Sequence, residues 1–301
     1  MKPLVTKRNN YFPYLLLFIQ PVFMASNIIV ARAGVEYVPP ISLAFWRWLT
    51  VFLILIPFFF DEIIKKKKDF KFESFKLFLL GLTGCAICGA FPFIAGMSTT
   101  MANMGIIYTS SPIFIILLSV LFFKDKIDFS RVIGLIVCLV GVIIIICKGE
   151  LSYLINLRFT SGDLWMLGAA VGWAIYSIFL INWNSKFSLM ARFTLIALFG
   201  AISLFPFYIL EQIYFIKTVF NEYFLFWVLF AAISPGIIAF TLYTKVQKFL
   251  GASLTGFTLY IFAIYSAIYG IVLFEEALLG FHYFGAGFVF IGVYLARKIV
   301  K

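Results

Sequence analysis

Charge is what this chain of 301 residues has least of: Asp, Glu, Lys and Arg make up 12% of it, against about 25% in a soluble domain. A water-facing surface cannot be covered at that composition, so a soluble globular fold is excluded. Histidine is down to His282 alone. An integral-membrane enzyme needs His, Asp or Glu clustered at one membrane face, and a lone His beside a turn reads as a solvated interfacial residue. Four cysteines are present, Cys85, Cys88, Cys138 and Cys147. The Cys85-x-x-Cys88 pair lies in an apolar run without a βαβ context. Gly81, Cys85 and Gly89 fall four apart, which is the spacing of close helix packing in lipid. No disulfide, metal site or cofactor is expected. No G-x-x-x-x-G-K-[S/T] sequence occurs, so ATP hydrolysis by this chain is not expected. Acids are missing from the middle of every apolar run. That argues against a central carboxylate proton relay, leaving Glu275 or Glu276 to titrate near one mouth.

What is present is hydrocarbon: 63% of residues are hydrophobic and the mean hydropathy is +1.07. Runs of about 20 apolar residues, each able to cross roughly 30 Å as a helix, recur ten times. They cover 11–31, 41–60, 74–96, 103–123, 130–147, 163–182, 190–210, 223–244, 252–274 and 280–297. The first follows Lys7 and Arg8 and lacks a clean small-x-small cleavage site, so it reads as a span rather than a signal peptide. With an internal N-terminus, the inward segments carry Lys2, Lys7, Arg8, Lys65 to Lys68, Lys71, Lys76, Lys124, Lys126, Arg131, Lys186, Arg192, Lys245, Lys248, Arg297, Lys298 and Lys301. The outward loops carry Arg32, Lys148, Arg158 and Lys217. This asymmetry follows the positive-inside rule with both termini in the cytoplasm. It also accounts for the net charge of +11 without nucleic acid, because the lysines sit in short loops beside spans.

Around the fourth run the pattern repeats itself. Gly105, Asp125, Gly134 and Gly141 map onto Gly256, Glu276, Gly285 and Gly292 at one ungapped offset of 151. Four matches at a single offset mark a duplicated unit. An odd number of spans separates Asp125 from Glu276, which inverts one copy against the other. Inverted repeats suit alternating access, because exchanging the shapes of two equivalent halves interconverts inward-open and outward-open states. The predicted fold class is therefore an all-α membrane protein, with ten transmembrane helices in two inverted five-helix repeats. The expected divisions are a cytoplasmic N-terminus at 1–10, a first repeat at 11–148, an outer linker at 149–160 and a second repeat at 161–301.

Polar and aromatic residues inside the runs are the candidates for function. Asn27 follows Gln20-Pro21 in the first run; lipid tolerates its amide poorly, so it faces protein or a cavity, as an interhelical bond or a substrate contact. Arg47, beside Trp46, lies about six residues inside the outer end, roughly 9 Å deep at about 1.5 Å per residue. It is either functional or snorkelling to the outer interface. Tyr108, Ser110 and Ser111 precede Pro112, a candidate hinge where irregular backbone is tolerated if it lines a cavity or is buried. Trp173 and Tyr176 in the second half, with Tyr243, Thr258 and Tyr260 further on, complete the expected lining. Arg47 and Glu276 both belong toward the outer face and are expected to form an outer gate, directly or through substrate.

These residues give the chain a family likeness. Trp46-Arg47, Ser110-Ser111-Pro112, Gly162-Asp163 and the glycines 134, 141, 285 and 292 resemble, in this order and over nearly the whole chain, ten-helix members of the drug/metabolite transporter superfamily with paired EamA-type domains. The sequence departs at Met24-Ala25-Ser26-Asn27, where such families often carry Trp-Gly-x-Asn. It also has Asp125 for a first-repeat glutamate and Ala263 for a second-repeat proline. The resemblance implies a central cavity between halves, a bacterial inner-membrane location, lipid and a small-molecule substrate as partners, and a monomer or weak homodimer. Members of this kind often export amino acids or related metabolites, and some take up vitamins or nucleotide-like compounds. Hydroxyls, amides and aromatics without central acids suit neutral or zwitterionic solutes. Facilitated movement or exchange fits better than tight proton coupling; a channel and a membrane enzyme are the weaker readings. If the copies are inverted, single cysteines placed at 125 and 276 will react with a membrane-impermeant maleimide from opposite sides, the first from the cytoplasm and the second from outside.

Overall fold

The computed structural model describes residues 11–98, 107–124, 128–147, 160–274 and 280–297, with Glu150 and Ser152. Among them every regular element is helical, which is what hydrocarbon demands: an unpaired backbone N–H or C=O there costs several kcal/mol, and a helix pairs nearly all of its own. Among the described residues five helices follow one another in the first repeat: α1 (Phe12–Ala33), α2 (Pro40–Lys65), α3 (Lys67–Ala95), α4 (Ser111–Phe123) and α5 (Phe129–Ile146). The second repeat has α6 (Ser161–Asn182), α7 (Leu189–Tyr214), α8 (Glu222–Gly251), α9 (Thr258–Phe274) and α10 (Gly280–Arg297). Six of them, α1, α2, α3, α6, α7 and α8, are long and apolar enough to cross a membrane, and the other four are shorter. Large apolar side chains such as Phe58, Leu121, Phe207 and Phe226 stand more than half exposed. On a soluble protein that would be an aggregation liability; here it is a surface for lipid.

Local chemistry starts and stops the helices. Pro40 opens α2, where its missing N–H costs nothing. Thr160 and Asp163 cap α6 reciprocally, with the Thr160 amide donating to Asp163 Oδ2 at 2.6 Å. Gly251, at φ +79°, takes a backbone conformation that a residue with a Cβ rarely adopts and breaks the chain at the end of α8.

The duplication is visible in the packing. α5 lies against α10, and contact partners run in opposite directions along the two helices. A Cβ placed on Gly141 would stand 2.5 Å from Gly285 O, and one on Gly292 would stand 2.5 Å from Gly134 O. Between them Cys138 Sγ donates to Val289 O, a residue 151 positions away. Each contact is the other's image under the repeat, so the equivalent helices cross antiparallel, as inverted copies must. α2 and α7 make the same kind of pair, and each ends in a carboxylate that caps the start of the other. Glu211 of α7 accepts from the Ile41 and Ser42 amides at 2.9 and 2.7 Å and from Ser42 Oγ at 2.6 Å. Glu62 of α2 accepts from the Ser188 amide and hydroxyl at 2.7 and 2.6 Å. A negative charge on the free N–H groups of a helix start contributes about 1 kcal/mol per cap.

The third helix of each copy carries a widened, π-type turn, Gly81–Ile87 in α3 and Ile233–Ile238 in α8. Gly84 and Pro235 sit at the same place in the two turns, again 151 positions apart. In α3 the ring of Tyr176 occupies the space where a Cβ on Gly84 would stand. In α8, Pro235 has no N–H to give the preceding turn, so the ladder must shift there. Neither widening was anticipated from sequence.

Glycine at the α5–α10 crossing is a steric requirement. Gly292→Ala is expected to lower stability by about 1–3 kcal/mol through overpacking. Gly287→Ala, with nothing within 4 Å of its added methyl, should leave stability unchanged. Thermal unfolding of the two variants in detergent checks this.

Candidate functional site

Where α1, α2, α3, α6 and α8 converge the molecule is hollow, over about 770 Å³ counting the open mouth. Arg47 is the charged group in its wall. It is 3% exposed, yet its partners among the described residues are neutral: Nη1 donates to Asn27 Oδ1 at 2.9 Å and Nη2 to Pro235 O at 2.9 Å. The guanidinium carbon also lies 4.6 Å from the centroid of the Trp48 ring, within cation–π range. Its Nε is buried without a hydrogen-bond partner. A carbonyl in the π-type turn thus meets a cation, and each meets a requirement of the other. Met24, Ile28, Ala31, Cys88, Pro92, Tyr108, Met166, Trp173, Phe240 and Phe262 supply the rest of the wall.

A second hollow, of about 900 Å³ by the same measure, opens further along α6 and α8. It is lined by Tyr176, Leu180 and Ile181 of α6, Arg192, Phe193 and Ile196 of α7, and Thr244, Gln247 and Lys248 of α8. An aromatic septum separates the two. Phe240 is its hub, with ring centroids 5.0 Å from Trp48, 5.5 Å from Trp173, 5.8 Å from Tyr176 and 5.6 Å from Phe193. Trp173 also stacks edge-on against Tyr243 at 4.8 Å. Such pairs contribute about 0.5–1.5 kcal/mol each beyond the area they bury. Behind them the Ser177 and Tyr243 hydroxyls share a hydrogen bond of 2.6 Å, so the layer is tied to α6 and α8 together.

The residues expected from sequence divide between these places. Asn27, Arg47, Tyr108 and Trp173 meet in the first hollow, Tyr176 lines the second, and Tyr243 backs the septum. Trp46 points elsewhere, into a cluster with Tyr208, Phe220 and Phe224. Ser110 and Ser111 turn back on their own chain, donating to Ile107 O and Tyr108 O at 2.6 Å each. Pro112 occupies the first turn of α4, just after an irregular turn at Thr109–Ser110. Thr258 donates to Thr255 O at 2.7 Å, and Tyr260 is buried in the satellite core with Phe257 and Leu135. Glu276 and Asp125 lie outside the described residues. Sequence reasoning did not single out Phe240, and with aromatics at 20% of the chain no local pattern distinguishes it. Arg192 it placed among the cytoplasmic surface charges, whereas the structure sets it in the wall of a hollow.

An all-helical, multi-pass membrane protein of two repeats around an interior hollow is the class these features define. The chain belongs to the EamA-like transporter family, which matches residues 11–147 and 160–297. An uncharacterised transporter of Bacillus subtilis (strain 168), YyaM, is 28% identical over 166 residues, 55% of this chain and 54% of its own length. One from Archaeoglobus fulgidus is 27% identical over 169 residues, 56% and 57% of the two chains. The chain thus aligns with just over half the length of these relatives. A solved crystal structure shares the fold with a TM-score of 0.73 at 19% identity, over 95% of this chain and 97% of that one.

If the septum is what closes the path, its hub should matter most. Phe240→Ala is expected to cost about 3–5 kcal/mol of stability. It should also let a cysteine at Met24, in the first hollow, react with impermeant maleimide from both membrane sides instead of one.

Proposed function

We propose that this protein is a carrier that moves a small neutral or zwitterionic metabolite, amino-acid-like in character, across a bacterial inner membrane by alternating access without ATP hydrolysis. Net export is the favoured direction; uptake of a vitamin or nucleotide-like compound is the alternative. The observation that carries the reading is the pairing of antiparallel equivalent helices around two hollows that an aromatic layer keeps apart. A channel needs a continuous path, and a layer of interlocked rings is a barrier that has to be moved. Both termini are assigned to the cytoplasm from the lysine distribution. That assignment turns the Arg47 hollow outward and the Arg192 hollow inward, and it puts Glu276 near the outer mouth, where it would gate with Arg47.

In the Arg47 hollow the solute's polar end faces a guanidinium and an amide while its apolar part meets Trp48, Trp173 and Phe240. Binding there with release on the other side requires only that Phe240 and its neighbours part, a rotamer and helix-tilt change of the size that membrane carriers make between repeats. Tight proton coupling is not part of the mechanism, because no carboxylate of a described residue lines either hollow.

Counterflow in proteoliposomes with radiolabelled amino acids and vitamins tests this. One class of solute should exchange with saturation, and Arg47→Gln should lower that exchange at least tenfold, about 1.4 kcal/mol of binding. Flux that never saturates would identify a channel, and no exchange of any solute would remove the carrier reading.

A further inference from the structure

The second hollow is a place where packing alone does not explain the residues. Arg192 leaves the first turn of α7, gives one Nη1 hydrogen bond of 2.8 Å to Leu180 O, and holds its Nε enclosed without a partner. Lys248 adds a second cation to the lining, and no carboxylate of a described residue is there. The acids that stand nearby in the fold are committed elsewhere. Glu73 accepts from Ser185 Oγ at 2.6 Å and from the Lys186 amide at 3.0 Å. Glu62 caps α7 through Ser188 and pairs with Lys66 at 2.8 Å. Glu73 stands near enough to act on Arg192 through space but makes no hydrogen bond to it, and a visiting anion would give the guanidinium the direct partner it lacks. Arg47 poses the same problem on the other side of Phe240, with neutral partners and an unpartnered Nε of its own. The path therefore has an arginine at each end, Arg47 buried and Arg192 half-buried, and an aromatic layer between.

We propose that the Arg192 hollow is a second binding station, a site for the carboxylate group of a small organic acid or zwitterion, and that it receives this group from Arg47 when the septum parts. The handover rests on the carrier reading above; the anion site itself does not. Two arginines of equal preference make the path selective for solutes with a carboxylate and against amines that lack one. The rings of the septum accept the uncharged remainder of the solute as it passes. The neutral oxygens that hold each guanidinium also keep it from trapping its cargo, since a fixed carboxylate partner would compete and a bare cation would not release.

The test uses the purified full chain in detergent and three probes of one shape, 4-fluorobenzoate, 4-fluorobenzamide and 4-fluorobenzylamine, followed by 19F NMR line width. An Arg47→Gln background removes the first station. In it, 4-fluorobenzoate should still broaden and saturate while the amide and the amine do not. Adding Arg192→Gln should weaken that binding at least tenfold, and Arg192→Lys in the same background should restore most of it, which a folding defect could not do. Equal broadening by the three probes, or benzoate binding that ignores Arg192→Gln, would overturn the proposal. Binding is read here without a gradient. Intact Arg192-dependent binding with failed counterflow would therefore remove the carrier reading alone, and the reverse result would remove this inference alone.

Discussion

In hydrocarbon a backbone polar group has no solvent to fall back on, and the whole molecule is arranged around that fact. It makes every described regular element a helix and turns apolar faces outward. It also permits irregular backbone only where another group completes it. The two π-type turns are the instructive places. Each widens a helix at the centre of the fold, and in α8 a carbonyl of the turn, Pro235 O, is met by Arg47. A charge that lipid would reject and a carbonyl that the helix ladder can spare are thus brought to the same spot. The hollow forms beside them.

Duplication converts that local device into an architecture. A helix that meets its own equivalent under an inverted repeat must meet it antiparallel, and small residues decide how closely. At the α5–α10 crossing the glycines of one copy touch the backbone of the other in reciprocal pairs, with Cys138 and Val289 between them. At the α2–α7 crossing the ends are held instead, by Glu211 on one side and Glu62 on the other. The first contact fixes a distance; the second fixes two ends. The hollows lie along the second pair, one lined by Arg47 and Trp48 of α2 and the other by Arg192, Phe193 and Ile196 of α7, with Phe240 between. An interface that is the same from either half has no preferred side, which is the physical condition for two shapes of similar energy.

Much of this was legible in the residues. The ten apolar runs follow from composition and length, and the offset of 151 marked Gly134, Gly141, Gly285 and Gly292 as equivalent, though not as the places where the two copies touch. Asn27 and Arg47, both singled out as polar groups that lipid would not tolerate, prove to bond each other. Ser110 and Ser111 show the limit of that logic. Hydroxyls in an apolar helix can satisfy themselves on their own backbone, as these do, and a sequence does not say which option is taken. Trp46 shows another limit, since its neighbour Arg47 faces inward while Trp46 packs among Tyr208, Phe220 and Phe224.

By itself the sequence determined the solvent, the number of apolar runs, the repeat and its inversion, because each rests on composition, periodicity or parity along one chain. Tertiary structure alone decided which residues share a cavity, that Phe240 is the hub of a septum and that Arg192 faces a hollow. Those depend on helix rotation and close approach between segments far apart in sequence. In a chain so rich in aromatics, one ring looks like another until its neighbours are in place.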